Sequence, residues 1–327
     1  MKAYFIFTII VSILLFVLPQ LVYVVLRLVM RLFHVHLPWS PFVWTGVVLM
    51  CLWLAAYCYG HFVGRFLYEV KPFEYATPQV PKAFEGYRIV HISDLHLGGW
   101  DGHTKKLKRV VDCINELQPD LVVFTGDLVS FDYREALPYT DILSSLRATD
   151  GVVSILGNHD YDPYARGLSD KERVEMLENL IDYERDTLGW RLLLNEHYVV
   201  HRGTDSLAIL GVENQSRASF RAIQRAKLKE AMEGTEGMFR ILLTHDPTHW
   251  RDEVVGGTDI PLTLCGHTHA LQMRVLGFTP CRWIYPECDG RYDEGEQTLY
   301  VNIGLGGTLP MRIGATPEIT LTTLSSK

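Results

Sequence analysis

Two long stretches without charged side chains fill most of the first 70 residues and constrain how this part of the chain can fold. Residues Ala3–Leu26 contain no Asp, Glu, Lys or Arg, and neither do the 33 residues between Arg31 and Arg65. A helix needs about 20 apolar residues to cross the hydrocarbon core of a bilayer. The sequence therefore predicts two transmembrane helices, at about 3–26 and about 42–60.

A cleaved signal peptide followed by a buried helix is the alternative interpretation of the same residues. The first stretch is longer than the roughly 7–15 residues of a signal-peptide core, and a second stretch follows it. Two crossings would give a multi-pass protein of the cytoplasmic membrane with both chain ends on one side. Four basic residues flank the two stretches and two lie between them, so the positive-inside rule favours a cytoplasmic side for the rest of the chain, whereas a single crossing would reverse this assignment.

The charge balance differs between the two parts of the chain. The first 70 residues carry +3 and the remaining residues carry −10, within a net charge of −7 for all 327 residues. Proteins that bind the phosphate backbone of nucleic acids generally present an excess of Lys and Arg. The acidic remainder therefore argues against a nucleic-acid partner.

Short apolar strands alternate with amphipathic helices after residue 86. The segments Tyr87–Ser93 and Leu121–Thr125 are predicted as strands, and His103–Leu117 between them has apolar residues at helical spacing. Ser169 and Glu172 have the spacing of a capping box, which predicts a helix from Ser169 to about Thr187. Further helices are predicted at 135–147 and 219–232. Further strands are predicted at 152–156, 192–194, 198–201, 207–210, 239–244, 260–265, 299–302 and 318–324.

This alternation predicts a layered α/β domain built on a mixed sheet. Three prolines, Pro72, Pro78 and Pro81, mark the segment before it as a linker. The predicted organisation is a membrane anchor over 1–70, a linker over 71–85 and one folded domain over 86–327.

The segment 281–292 has two features whose roles the sequence leaves open. Cys281 and Cys288 could form a disulfide in an oxidising compartment or remain free thiols in a reducing one. The aromatic residues Trp283, Tyr285 and Tyr292 could line an apolar substrate groove or pack in the interior.

Side chains that can bind metals follow five of the predicted strands, at the point where each strand ends. Ligands of open α/β sheets gather at the carboxyl ends of the strands, because the loops converge there. Each motif alone is common in ordinary loops, but five in succession indicate one site with two metal ions. The motifs are Asp94-Leu95-His96, Gly126-Asp127, Gly157-Asn158-His159-Asp160, His245-Asp246 and Gly266-His267-Thr268-His269.

In order and spacing these motifs resemble those of the calcineurin-like metallophosphoesterase superfamily. The resemblance covers about residues 86–327, and the tail at Gly304–Arg312 resembles the membrane-associated bacterial branch. It implies a layered α/β/β/α sandwich with mixed sheets. One departure is Ala270-Leu271-Gln272, where many relatives have Gly-Gly-Gln, and it puts a Cβ where the backbone could approach substrate closely.

The family pattern, carried over to this sequence, implies two metal sites and one catalytic histidine. Asp94, His96, Asp127 and His269 would hold the first metal. Asp127, as the bridging ligand, would hold the second metal with Asn158, His245 and His267. Beside ligand Asn158, His159 would protonate the leaving oxygen, and Asp160 or Asp94 would orient it. Nitrogen and oxygen ligands suit Mn²⁺, the expected ion, and also Fe, Zn²⁺ or Mg²⁺.

The activity that the resemblance implies is that of a metal-dependent phosphoric ester hydrolase. A hydroxide that bridges the two metals would attack phosphorus. Together with the predicted anchor, this favours a phosphoester or pyrophosphate bond of a lipid or lipid-precursor substrate at the membrane. The alternatives are a non-catalytic scaffold of the same fold, which the complete ligand set disfavours, and a metal-dependent nuclease, which the acidic charge disfavours.

Overall fold

The computed structural model describes residues 2–161, 167–217 and 223–327. These residues form two compact units. The first comprises Met1–Phe66 with Leu309–Gly314, and the second comprises Leu67–Thr308 with Ala315–Lys327.

Two long helices make up most of the first unit. Helix α1 spans Lys2–Arg31 and helix α2 spans Ser40–Phe62. The segments Ile6–Arg31 and Ser40–Phe66 are long and apolar enough to cross a membrane. The two apolar helices predicted at about 3–26 and 42–60 are therefore confirmed as helices, and α1 continues to Arg31 beyond the predicted end.

The two helices approach each other closely at a glycine. A Cβ on Gly46 would collide with the carbonyl oxygen of Phe16, so only glycine allows this separation. The side-chain amide of Gln20 donates to the carbonyl oxygen of Phe42 at 3.0 Å, and Trp39 Nε1 donates to Gln20 Oε1 at 2.8 Å. These polar contacts give partners to groups that would otherwise lie unpaired against apolar surface.

The second unit consists of two facing mixed sheets. Among the described residues its strands are β1 (Glu69–Ala76), β2 (Arg88–Ile92), β3 (Leu121–Phe124), β4 (Val152–Ser154), β5 (Arg191–Leu192), β6 (Glu196–Arg202), β7 (Asp205–Gly211), β8 (Phe239–Leu243), β9 (Leu262–Cys265), β10 (Gly290–Glu294), β11 (Gln297–Val301) and β12 (Glu318–Ser325). The first sheet has the order β1-β12-β2-β3-β4-β5 and the second the order β10-β11-β9-β8-β7-β6. In each sheet the central strands that precede the metal-capable motifs run parallel, and the sheets become mixed through strands such as β12 and β6.

Apolar side chains from both sheets form one shared core. Ile89 and Val123 of the first sheet belong to the same buried cluster as Ile209 and Ile241 of the second. The helices of this unit are α3 (Thr104–Glu116), α4 (Thr140–Leu143), α5 (Asp170–Asp182), α6 (Leu228–Met232) and α7 (Pro247–His249). Helix α3 buries an apolar stripe, and Leu228 of α6 packs with Trp250 against strands of the second sheet. The predicted α/β/β/α sandwich with mixed sheets is confirmed.

Part of the segment predicted as a linker over 71–85 is a strand. Residues 71–76 belong to β1, which pairs in parallel with β12. Phe73 and Tyr75 alternate with exposed residues and are buried in the shared core, which is the period of a strand. Pro72 is tolerated because β1 lies at the edge of the sheet, where a missing amide breaks no ladder on the open side. Strand β10 was also not predicted.

Two predicted helices are shorter in the structure. Over 135–147 only Thr140–Leu143 is α-helical, because Pro138 and 3₁₀ turns precede it and the Glu135 carboxylate is bound by backbone amides of Gly98, Ser130 and Phe131. Over 219–232 residues 219–222 lie outside the described residues, and the helix covers Leu228–Met232.

Helix α5 confirms the predicted capping box, in which Ser169 and Glu172 satisfy each other's backbone amides. It ends at Asp182, and a π-helical turn at Tyr183–Thr187 occupies the remainder of the predicted range. Cys281 and Cys288 are free, buried thiols in the structure.

Candidate metal centre

The metal-capable residues lie where the carboxyl ends of strands from both sheets meet. Asp94 and His96 follow β2, and Asp127 follows β3 of the same sheet. His245 follows β8, and His267 and His269 follow β9 of the other sheet. Residues far apart in sequence therefore lie together because the two sheets share one core.

Four of the predicted ligands form one buried cluster. Their ligand atoms, from Asp94, His96, Asp127 and His269, all lie within 4.8 Å of one another. His269 Nε2 lies 3.3 Å from Asp94 Oδ1 and 3.3 Å from His96 Nε2. Asp94 Oδ1 is buried and has no hydrogen-bond partner among the described residues, which is costly for a carboxylate oxygen unless a cation binds it. This donor set therefore fits a divalent metal ion.

The other predicted ligands form a second cluster that shares Asp127. Asn158 Oδ1 lies 3.1 Å from His245 Nε2 and 2.8 Å from His267 Nδ1. Asp127 Oδ2 lies 3.3 Å from His245 Nε2 and also 3.3 Å from His96 Nε2 of the first cluster. One carboxylate oxygen thus stands between an imidazole of each cluster, and all seven predicted ligand side chains are brought together.

Partners on the far side of the imidazoles set which nitrogen faces the cluster. His245 Nδ1 donates to the carbonyl oxygen of Thr125 at 2.7 Å, which leaves its Nε2 facing Asp127. The Nδ1 of His96 contacts Ser130 Oγ at 3.3 Å, and its Nε2 faces Asp127. Such partners orient metal-binding histidines and increase their basicity.

The cluster attracts positive charge. Burial alone would raise the pKa of Asp127, but the neighbouring His245, His159 and His96 lower it well below its usual range, so the carboxylate is ionised. Burial lowers the pKa of His245, but the Asp127 charge outweighs it and raises that pKa to about 10. The same attraction would act on a metal cation placed between these residues.

Five of the seven predicted ligands have left-handed backbone conformations. A residue other than glycine loses about 1–3 kcal/mol of conformational free energy in this region, so it adopts it only where the surrounding structure fixes the backbone. Here backbone hydrogen bonds tie the turns together, for example from the Asp94 amide to the Gly126 carbonyl at 2.9 Å and from the Gly306 amide to the Asp94 carbonyl at 2.7 Å. The five predicted ligands in this conformation are Asp94, His96, Asp127, His267 and His269, with φ of 51°, 43°, 60°, 75° and 50°.

His159 lies beside the first cluster, edge-on to His96 with ring centroids 4.8 Å apart. Its Nδ1 donates to the carbonyl oxygen of Ser130 at 2.9 Å, and its backbone amide donates to Asp127 Oδ1 at 2.8 Å. Burial lowers the pKa of His159 to about 4. A bound phosphate would have to raise this pKa for the imidazole to act as a proton donor at neutral pH.

Asp160 does not orient His159 as expected. Its Oδ2 accepts from the backbone amides of Asp127 at 2.7 Å and Gly157 at 2.8 Å, and its Oδ1 accepts from the Val129 amide at 3.2 Å. Asp160 therefore holds the turns that carry Asp127 and Asn158 together, and the Nδ1 of His159 contacts the Ser130 carbonyl instead.

The segment 270–272 packs inward. Ala270 and Leu271 have φ of 49° and 48°, which explains why relatives can have glycine here. The Ala270 side chain is fully buried in a cluster with Cys281 and Cys288. Its Cβ therefore packs against the loop over 279–288, and Leu271 is half-buried beside it.

Sequence reasoning missed the role of Tyr285. Its hydroxyl lies 2.8 Å from His267 Nε2, the nitrogen on the far side from Asn158, and Asp246 Oδ2 lies 3.6 Å from the same atom. Tyr285 is thus a positioning residue for His267. The sequence offered only an aromatic residue in a loop, with no signal that it meets this histidine.

Tyr285→Phe is expected to weaken Mn²⁺ binding about 10- to 100-fold, because His267 loses the hydrogen bond that fixes its ring. Calorimetric titration of the full-length protein with Mn²⁺ measures this directly. Tyr68→Phe removes an exposed hydroxyl that donates to the Arg109 carbonyl and contacts none of the predicted metal ligands, and it is the matched control. Equal Mn²⁺ affinity in both variants would show that Tyr285 does not position the ligand.

Comparison with known proteins agrees with this geometry. Residues 87–271 match the calcineurin-like phosphoesterase family. The chain belongs to this family. Its members hydrolyse phosphoesters, and the Asp and His cluster of this metallophosphoesterase fits the divalent metal that such hydrolysis uses.

Curated relatives extend over most of the chain. It is 31% identical over 293 residues to the uncharacterized metallophosphoesterase YkuE of Bacillus subtilis, covering 83% of this chain and 90% of that protein. It is 31% identical to a transmembrane protein with metallophosphoesterase domain of Danio rerio, covering 77% of this chain but only 56% of that protein. It is 29% identical to the UDP-2,3-diacylglucosamine pyrophosphatase LpxG of Chlamydia trachomatis, covering 74% of this chain and 85% of that protein.

Proposed function

We propose that this metallophosphoesterase is a two-metal enzyme anchored in a membrane, and that it hydrolyses a phosphoester or pyrophosphate bond of a lipid or lipid precursor. The observation that carries the two-metal part is the position of Asp127 Oδ2, 3.3 Å from an imidazole nitrogen of each cluster. One oxygen so placed can bridge two ions, which lie about 3.5–4 Å apart in sites of this kind.

The proposed ligands divide between the two ions as the family pattern implies. Asp94, His96 and His269 would hold one ion, and Asn158, His245 and His267 would hold the other, with Asp127 shared. The bound ions, for which we propose Mn²⁺, would activate a water molecule and bind phosphate oxygens. His159, buried beside His96, donates a proton to the leaving oxygen once the phosphate charge has raised its pKa. The Ser130 carbonyl holds its ring in place.

The proposal of a lipid substrate rests on two observations. The chain has two helices long and apolar enough to cross a membrane, which would hold the enzyme where lipids are abundant. One relative is named as a pyrophosphatase of a diacylated sugar nucleotide and another as a transmembrane protein. If both helices cross the membrane, the anchor is multi-pass and the flanking basic residues favour the cytoplasmic side for the second unit.

The test is hydrolysis of chromogenic aryl phosphates by the full-length protein in detergent with added Mn²⁺. The wild type is expected to hydrolyse the diester bis(p-nitrophenyl) phosphate or the corresponding monoester. If the protein bound its full complement of metal but hydrolysed neither compound, the proposed hydrolase activity would be contradicted and the non-catalytic scaffold favoured. Tight DNA binding with steep salt dependence would favour the nuclease.

His159→Ala is expected to lower kcat for the aryl phosphate about 100- to 10,000-fold while the metal content stays at the wild-type value, since the residue donates a proton but binds no ion. Steady-state kinetics and elemental analysis on the same preparation measure both. His201→Ala, on an exposed strand residue, is the matched control. A wild-type kcat in His159→Ala would show that this residue is not the proton donor.

A further inference from the structure

A tight hairpin with an apolar tip projects from the second unit. Val275 and Phe278 exchange two backbone hydrogen bonds, of 2.8 and 3.0 Å, around Leu276 and Gly277. The φ angles at Leu276 and Gly277 are 50° and 81°, both in the left-handed region. Leu276 at the tip is fully exposed.

The residue at the tip, Leu276, is not one of the residue types usually found in such a turn. Two-residue turns with both central φ values positive favour Asn-Gly or Asp-Gly, and a branched side chain there is strained. Leu276 is strained and exposes its apolar side chain, so neither local conformation nor burial within this unit explains it. An exposed apolar residue in a strained turn, within a larger apolar surface, indicates a surface that binds something outside the domain.

Leu276 belongs to a larger apolar surface. We call it the apolar hairpin patch, and its exposed members are Val275, Leu276, Phe278, Trp283 and Ile284. The rings of Phe278 and Trp283 lie 5.2 Å apart, and Trp283 remains 78% exposed. Arg282 beside them has a largely exposed side chain. Exposed Leu, Phe and Trp next to Arg are typical of protein surfaces that bind at the interface of a bilayer.

The patch is joined to the metal centre through short contacts. Thr279 Oγ1, next to Phe278, donates to the Ala270 carbonyl at 2.7 Å, one residue after ligand His269. At the other end Ile284 precedes Tyr285, whose hydroxyl bonds ligand His267. Cys281 and Cys288 pack under the same turn with Ala270. The patch and the metal ligands therefore belong to one packed loop structure.

We propose that the apolar hairpin patch inserts into the surface of a lipid bilayer and holds the metal centre against the layer that contains the substrate. The occupant is the boundary between headgroups and acyl chains, because Leu276 and Trp283 suit its apolar side and Arg282 suits its phosphates. The candidate spanning helices of the same chain would keep such a surface within reach. The inference rests on the proposed function only for the identity of that lipid substrate.

The experiment uses the full chain in nanodiscs of phosphatidylethanolamine and phosphatidylglycerol. A photo-reactive benzoylphenylalanine at position 276 is expected to give lipid adducts on illumination, detected as mass shifts of the peptide. The same probe at Val174, an equally apolar and 55% exposed residue of α5, is the control and is expected to give none. Absence of lipid adducts at 276, or adducts that link it to protein instead, would overturn the proposal.

A second measurement separates insertion from folding. Benzoylphenylalanine at Trp283 is also expected to give lipid adducts, and Leu276→Asn is expected to reduce their yield about tenfold, since the side chain that would be buried in lipid is lost. Asn suits the left-handed turn, so this variant keeps the hairpin. An unchanged yield in Leu276→Asn would contradict insertion. Hydrolysis of the soluble aryl phosphate by the same preparations tests the proposed function independently.

Discussion

Asp127→Asn is expected to lower kcat/KM for an aryl phosphate about 1,000-fold or more. The carboxylate proposed to bridge the two ions would be replaced by a neutral amide, which removes the negative charge that faces both clusters. Loss of metal-dependent stabilisation of several kcal/mol corresponds to about three orders of magnitude in rate. The metal content is expected to fall by about one ion per chain.

Asp112→Asn is the matched control, because Asp112 is an exposed carboxylate on α3 whose one ion-pair partner among the described residues is Lys108. It is expected to change neither rate nor metal content. If Asp127→Asn retained even a tenth of the wild-type rate with two ions bound, the bridging role of Asp127 would be wrong.

Gly157→Ala is expected to cause the second large effect, a loss of at least about 100-fold in kcat together with a lower melting temperature. A Cβ at this position would lie 2.6 Å from the Asp127 backbone nitrogen and 2.7 Å from His245 Cε1. Neither atom can move without shifting a ligand, and overpacking of this kind typically costs about 1–3 kcal/mol of stability. The turn between β4 and Asn158 would have to open.

Gly99→Ala provides the comparison for that variant. The nearest atom to its Cβ would be the Gly307 carbonyl oxygen at 3.3 Å, which a small shift can accommodate. Thermal unfolding and steady-state kinetics of the two variants measure the difference. Wild-type kinetics in Gly157→Ala would mean that the ligand turns are not held as closely as the structure places them.

The arrangement of the ligands could be predicted because it follows from strand direction. Asp94, Asp127 and His245 each end a buried parallel strand, and such ends converge whatever the details of packing. Periodicity likewise predicted α3, and the capping box predicted the start of α5. These signals are local in sequence, so they can be recognised without knowledge of the tertiary structure.

Features that depend on contacts between distant backbones could not be predicted in this way. Asp160 was expected to orient His159, but its carboxylate binds the amides of Asp127 and Val129, which only the fold brings near. The contact of Tyr285 with His267 depends on how the loop over 279–288 packs under Ala270. The left-handed conformations of the predicted ligands could not be read from their residue types, because Asp and His are enriched in this region but also occur in many ordinary turns.

Errors in element boundaries have similar causes. Prolines marked 71–85 as a linker, but Pro72 lies on an edge strand where the sheet tolerates it. The helix expected at 135–147 is interrupted because the Glu135 carboxylate accepts hydrogen bonds from backbone amides of the neighbouring loop. In both places tertiary contacts outweighed local preference.

The most direct test of the two-metal centre is the stoichiometry of bound metal. Full-length protein would be equilibrated with Mn²⁺, freed of excess ion and analysed for metal per chain alongside hydrolysis of an aryl phosphate. Two ions per chain in the wild type, with hydrolysis reaching its maximum only at the second equivalent, is the predicted result. One ion or none at full hydrolytic activity would contradict a centre bridged by Asp127.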